Sequence, residues 1–187
     1  KGMGNLRGFE MPRQLLCEEV SYTPTYGKFI AEPFERGYGI TIGNSLRRIL
    51  ISSIEGAAVT SVRFNGVLHE FSVIPGVLED VSEIVLNLKN LVLRAHSTVP
   101  KEIQIQAETK GVVTAKDIAH DNTIEIVNPD LHIATLTKNT KFHMTLTVNR
   151  GRGYVPAERN KSEENPIGVI PIDSLFSPVK QVNIHVE

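Results

Sequence analysis

Glu32-Pro33-Phe34-Glu35-Arg36-Gly37-Tyr38-Gly39-Ile40-Thr41-Ile42-Gly43-Asn44-Ser45-Leu46-Arg47-Arg48-Ile49-Leu50 is the stretch on which the reading of this chain turns. Pro33 has no amide donor, so it should stop the short strand expected from Lys28 to Pro33. Glycines at 37, 39 and 43 point to a backbone that turns sharply or is closely approached by another group. Asn44 has the chemistry of an N-cap for a helix over 45–53, with Gly56 as its terminator. At roughly 100° per residue, Leu46, Ile49, Leu50, Ser53 and Ile54 share one broad face, which Ile51 widens. Arg47 sits on its rim, while Arg48 and Ser52 point away. So wide an apolar arc on so short a helix exceeds what one supporting sheet covers, and implies burial against a second body, another chain being one candidate.

Downstream the texture changes. Val59, Ser61 and Arg63 alternate with Thr60, Val62 and Phe64, and Asn65-Gly66 is a hairpin-type turn with Val67 to Val73 as its return strand. Leu78, Val81, Ile84, Val85 and Leu88 then repeat at helical spacing, with Glu79, Asp80 and Glu83 early and Lys89 late, as the macrodipole favours. Asn90 is expected to end this helix in a left-handed conformation, with a strand starting at Leu91. Short strands follow at Ile103 and Ile105, at Ile124 and Ile126, and at Leu131, Ile133 and Leu136. Phe142, Met144, Leu146 and Val148 give the cleanest period-two run. A polar, breaker-rich loop over 158–166 precedes Ile167 to Ile172, and Val182, Ile184 and Val186 form a last alternating strand. That strand has no evident mid-chain partner. If it rejoins the first strands, the middle of the chain is an insertion in a discontinuous domain, and the end at Glu187 is that of a fragment.

Composition bounds the function. With 187 residues and 41% hydrophobic content, the chain can form one substantial core or two modest ones. Twenty Lys and Arg against 21 Asp and Glu give a formal net charge of -1, which argues against a protein living on phosphate contacts. The single cysteine, Cys17, allows neither an internal disulfide nor a cysteine metal cluster. No run approaches the roughly 18 apolar residues of a membrane span. The opening, Lys1 to Arg7, lacks the apolar run of a signal peptide, so a cytoplasmic protein is expected.

Catalytic chemistry finds little support. The six histidines contain no HExxH pair, and His120-Asp121, the best acid/base or metal candidate, is more simply a turn. Gly37-x-Gly39 precedes a helix, but Gly43 falls one position late for a dinucleotide loop. Neither Cys17 nor its neighbours suggest an activated thiolate. Arg150-Gly151-Arg152-Gly153-Tyr154 is the most conspicuous surface element, read as a loop. It suits protein docking first, through Arg and Tyr anchors, and single-stranded nucleic acid second, through stacking and guanidinium contacts. Arg47-Arg48 invites the same weighing: one stem buried along the apolar rim, or a fork anchoring a partner's carboxylate or carbonyl.

The stretch 32–50 closely resembles the signature of the α-subunit family of bacterial RNA polymerase, with Phe34 and Ile42 where leucine is common. So do Asn65-Gly66-Val67-Leu68-His69-Glu70-Phe71, Ile84 to Lys89, Thr114 to Ile118, and the segment from His120 to Val127. Arg150 to Ala157 and Pro166-Ile167-Gly168 continue the resemblance, which runs in order from about residue 28 onward. It implies an α+β fold: a discontinuous dimerisation subdomain, 1–56 plus 178–187, interrupted by an inserted, mostly β subdomain over 57–177. It also implies a non-catalytic scaffold with no cofactor and no metal, which pairs with a second α copy and docks the β and β′ subunits. Leu46, Ile49, Leu50, Ile51 and Ile54 would form the dimer interface. Arg47, Arg48 and the segment Arg150, Gly151, Arg152, Gly153, Tyr154 would meet β or β′, with no direct nucleic-acid contact.

Overall fold

The computed structural model describes residues 10–161 and 165–187. The reading of Lys1 to Arg7 and part of the expected 158–166 loop lie outside those residues. In chain order the elements are β1 (Leu16–Cys17), β2 (Phe29–Ile30), α1 (Tyr38–Ser52), β3 (Glu55–Phe64), α2 (Val81–Leu88), β4 (Leu93–Ala95), β5 (Lys101–Ala107) and β6 (Gly111–Thr114). A 3-10 turn (Ala115–Asp117) leads to β7 (Ile118–Ala119), β8 (Ile124–Ile126), β9 (His132–Leu136), β10 (Phe142–Arg152) and β11 (Tyr154–Val155). The chain continues through α3 (Ala157–Asn160), β12 (Val169–Pro171) and β13 (Ser174–Leu175). Strands thus dominate and helices are few.

Two compact units emerge: Lys1–Ile49 with Val182–Glu187, and Leu50–Gln181. In the first, β1 and β2 pair antiparallel, Leu16 opposite Ile30. In the second, an antiparallel seven-stranded sheet runs β7-β5-β10-β3-β4-β8, with β12 also on β3. Two-stranded ribbons β6-β9 and β11-β13 accompany it. β3 lies at the centre, with β10 along one edge and β12 and β4 sharing the other. Val59 to Val62 are uniformly buried rather than alternating, so both faces of the strand are covered over this stretch. The core gathers Val62, Ile105, Ile133, Leu136, Met144 and Leu146 with Val81, Ile84 and Leu88 of α2, all nearly inaccessible to solvent. Burying each such side chain contributes about 1.5–3 kcal/mol.

Several expectations from sequence are corrected. The helix after Pro33 does not start at Asn44: it begins at Tyr38, and Asn44 lies in its middle. Only Gly37 of the three glycines turns the chain, at φ +89°. Gly39 and Gly43 are helical and closely approached, since a β-carbon there would meet Val186 Cγ1 at 3.1 Å and Ile184 Cγ2 at 2.7 Å. Gly56 does not end the helix but lies inside β3. The return strand over Val67 to Val73 is absent because both edges of β3 are taken: Arg63 pairs with Thr145 of β10 and with Val169 of β12. Gly66 still turns, at φ +79°.

α2 starts at Val81, later than the apolar repeat suggests, because Asp80 and Glu83 close a capping box. Asp80 Oδ1 accepts from the Glu83 amide at 2.7 Å, and the Asp80 amide donates to Glu83 Oε2 at 3.1 Å. Asn90 is not left-handed, for among the described residues only glycines have positive φ. Its side chain instead donates to the Leu86 carbonyl at 3.2 Å. The 158–166 loop opens as the last residues of α3. Val182 to Val186 form no strand: Ile184 and Val186 lie against the glycine flank of α1.

Candidate functional site

α1 has no buried residue along its 15 positions. Leu46 is 48% exposed, Ile49 54%, Leu50 37% and Ile51 39%, while Ile54, just beyond the helix, is half-buried. Gly39, Gly43, Leu46 and Leu50 follow spacings of four, three and four, so they form one stripe. Ile184 and Val186 occupy its glycine end, and the leucine end is left open. Ser45, on the same helix, returns its hydroxyl to the Thr41 carbonyl at 2.9 Å. Arg47 and Arg48 are both exposed on α1.

Arg150 to Tyr154 is not a free loop. Arg150, Gly151 and Arg152 are the end of β10, opposite Ala57, Gly56 and Glu55 of β3. The period of two sends the two arginines to one face and Gly151 to the other. On the arginine face Glu55 receives both: Arg150 Nη2 lies 2.8 Å from Oε2, and Arg152 Nη2 3.2 Å from Oε1. One carboxylate against two guanidiniums leaves one net positive charge at the strand end. On the other face a β-carbon at Gly151 would lie 2.8 Å from the Phe176 ring. Gly153 turns the chain at φ +63°, and its carbonyl accepts the Phe176 amide at 2.8 Å.

Tyr154 opens β11 with its ring exposed. Partial desolvation and the neighbouring Asp173 carboxylate hold its phenol above the usual range. Asp173 is itself held below the usual carboxylate range, first by Lys89, whose Nζ is 2.7 Å from Oδ2, and then by the Ala157 amide at 2.8 Å from Oδ1. Glu55, Phe176, Asp173 and Lys89 are the residues that sequence reasoning missed. Glu55 and Arg150 are 95 positions apart, so no local spacing signals their pairing.

Asp121 opens a turn that closes at Ile124, and His120 precedes it. His120 Nδ1 lies 2.9 Å from the Ile118 carbonyl, and Asp121 Oδ1 accepts the Thr123 amide at 2.9 Å and its hydroxyl. The hydroxyl bond, then the amide, with Lys101 nearby, lowers the Asp121 carboxyl from its usual range. Among the described residues no group of three or more His, Cys, Asp or Glu is placed to hold a metal. Nor is any described helix long and apolar enough to cross a membrane.

A strand-rich unit with a full core and a helix whose leucine end stays exposed are the features that mark this chain among the described residues. The chain belongs to the family described as the RNA polymerase Rpb3/RpoA insert domain, whose model matches residues 62–177. It is 58% identical over 183 residues to a DNA-directed RNA polymerase subunit alpha of Symbiobacterium thermophilum, covering 96% of this chain and 57% of that protein. It is also 58% identical over 178 residues to the same-named subunit of Desulforamulus reducens, covering 95% and 56% respectively. The chain thus spans little more than half the length of these curated relatives.

Proposed function

We propose that this chain is the amino-terminal assembly part of a bacterial RNA polymerase α subunit, a cytoplasmic scaffold. It pairs with a second α copy, docks β and β′, and carries no catalytic group or cofactor of its own. The observation that carries this reading is α1, a helix with no buried residue that leaves Leu46, Ile49, Leu50 and Ile51 exposed. Water-facing apolar side chains on one helix are tolerable singly, but a contiguous stripe calls for a partner. In this reading 1–56 with 178–187 is the dimerisation part and 57–177 the inserted part, a division near that between the compact units Lys1–Ile49 with Val182–Glu187 and Leu50–Gln181. Ile54 would lie at the margin of the dimer contact.

Arg47, Arg48 and the segment Arg150 to Tyr154 are the proposed contacts to β and β′. Glu55 bears on the choice between protein and nucleic acid, because it already draws on both arginines of the strand end. The remaining single charge and the exposed Tyr154 ring suit a protein interface better than a phosphate track. Replacing Arg47 and Arg48 together by Ala is expected to leave the fold intact and to weaken co-purification of β about tenfold or more. Undiminished capture of β by the doubly substituted chain would remove these residues from the interface.

A further inference from the structure

Asn65-Gly66 is the one place in the sequence where an asparagine precedes a glycine. The pair forms the exposed tip of the turn after β3, with Gly66 at φ +79°. Its flanks are anchored: Phe64 and Val67 are buried, and the Asn65 amide donates to the His143 carbonyl at 3.1 Å. The tip itself is open. A β-carbon on Gly66 would meet no atom within 4 Å, and the Gly66 amide donates to no group among the described residues. The Asn65 carboxamide is likewise in no hydrogen bond there. Those of Asn87, Asn90, Asn128, Asn139 and Asn160 are each held by a backbone group.

Such a pair carries an electrophile and a nucleophile in one dipeptide. They are the carboxamide carbon of Asn65 and the main-chain nitrogen of Gly66, which close a five-membered ring when they bond. A side chain at the second position would crowd that approach, and glycine has none. A carboxamide pinned by hydrogen bonds resists the rotation the ring needs, and this one is not pinned. The structure assigns Asn65-Gly66 as a site of spontaneous modification, at which the asparagine passes through a cyclic imide to aspartate and isoaspartate. Hydroxide takes the Gly66 amide proton, the nitrogen bonds to the Asn65 carboxamide carbon, and that carbon releases ammonia as water returns the proton. A second water then opens the imide. Breaking the new bond leaves an aspartyl residue, whereas breaking the original peptide bond routes the main chain through the side chain as isoaspartate. Either product adds one negative charge to a chain of formal net charge -1. Isoaspartate also adds a methylene to a turn held on both sides by buried residues. The site goes beyond the assembly reading, since it draws on neither α1 nor the Arg150 to Tyr154 strand end.

The test is to hold the full 187-residue chain in mildly alkaline buffer and follow it by anion-exchange chromatography. Trypsin, cutting after Arg63 and Lys89, releases residues 64–89 for mass spectrometry. One more acidic species is expected to accumulate, faster as pH rises, with the amide-to-acid mass gain at Asn65 and none at Asn87. Isoaspartyl methyltransferase should label the same position. Asn65→Gln, whose imide would need a six-membered ring, should lose the acidic species while keeping its β-sheet signal. A chain that stays fully amidated, conversion at another asparagine ahead of Asn65, or an undiminished acidic species in Asn65→Gln would overturn the assignment. Conversion without any isoaspartyl label would overturn it too, because it would mean direct hydrolysis with no imide. So would conversion seen only after unfolding in urea, which would mean that the folded turn shields the pair.

Discussion

Gly56 and Gly151 face each other across β3 and β10, and each meets Phe176 from a different side. A β-carbon on Gly56 would lie 1.9 Å from the Phe176 carbonyl oxygen, and one on Gly151 would lie 2.8 Å from its ring. Since Phe176 is itself buried, neither clash can be relieved by swinging a side chain into solvent. Gly151→Ala should therefore destabilise the chain by about 1–3 kcal/mol, as other overpacked sites do. Gly56→Ala should cost at least as much, because backbone must move; urea unfolding of the two variants checks the order. Asp173 responds to acid. Lys89 and the Ala157 amide favour its charged form in the folded chain, so its pKa is depressed relative to the unfolded value near about 4. A depressed carboxylate contributes stability that is fully present above the unfolded pKa and is lost as pH falls through the folded one. The stability difference between the parent chain and Asp173→Asn should hold steady at neutral pH and close progressively below about pH 4, in denaturant melts across that range.

Isolated helices as short as α1 are marginal in water, and this one has no buried residue, Ile184 and Val186 covering only its glycine end. If a second copy covers the open leucine end of its stripe, Ile49→Asp would place a charge in a desolvated apolar contact, which strongly disfavours association. The substituted chain should run as a monomer in light scattering at concentrations where the parent chain pairs. Its β-sheet signal should not change, because Ile49 contributes nothing to the core. The width of the apolar face was legible from Leu46, Ile49 and Leu50 alone. Its start was not, since Gly39 and Gly43 look like breakers until Ile184 and Val186 are seen lying on them. The same limit applies to the candidate site. Residue types and local order marked Arg150 to Tyr154, but Glu55 turns two apparently free arginines into a bound pair, and it comes from a strand 95 positions earlier. α2 and the strands β5, β8, β9 and β10 were readable because their periodicity is local, while the short β6 and β7 carry too little of it and went unread. The missing return strand after Gly66 was not, because edge occupancy on β3 is decided by β10 and β12.

Cohesion is unevenly distributed through the molecule. Every buried hydrophobic among the described residues, from Ala58 to Phe176, belongs to the unit Leu50–Gln181. Among its described residues the unit Lys1–Ile49 with Val182–Glu187 has none, and its sheet there is a two-stranded ribbon, which alone is barely stable in water. Local opening free energies follow buried contacts, so they should range from near zero in the first unit up to the global value in the second. Amide hydrogen exchange on the dilute chain should therefore find β1, β2 and the first turns of α1 close to unprotected. β3, β5 and β10 should exchange only on global unfolding. Raising the concentration adds whatever cover a second copy provides, and mass action should then transfer protection to α1 while the sheet stays as it was. Slow exchange of α1 in the dilute chain, matching β10, would mean that the helix needs no partner to be stable. Its uncovered leucines would then give no ground for an assembly surface.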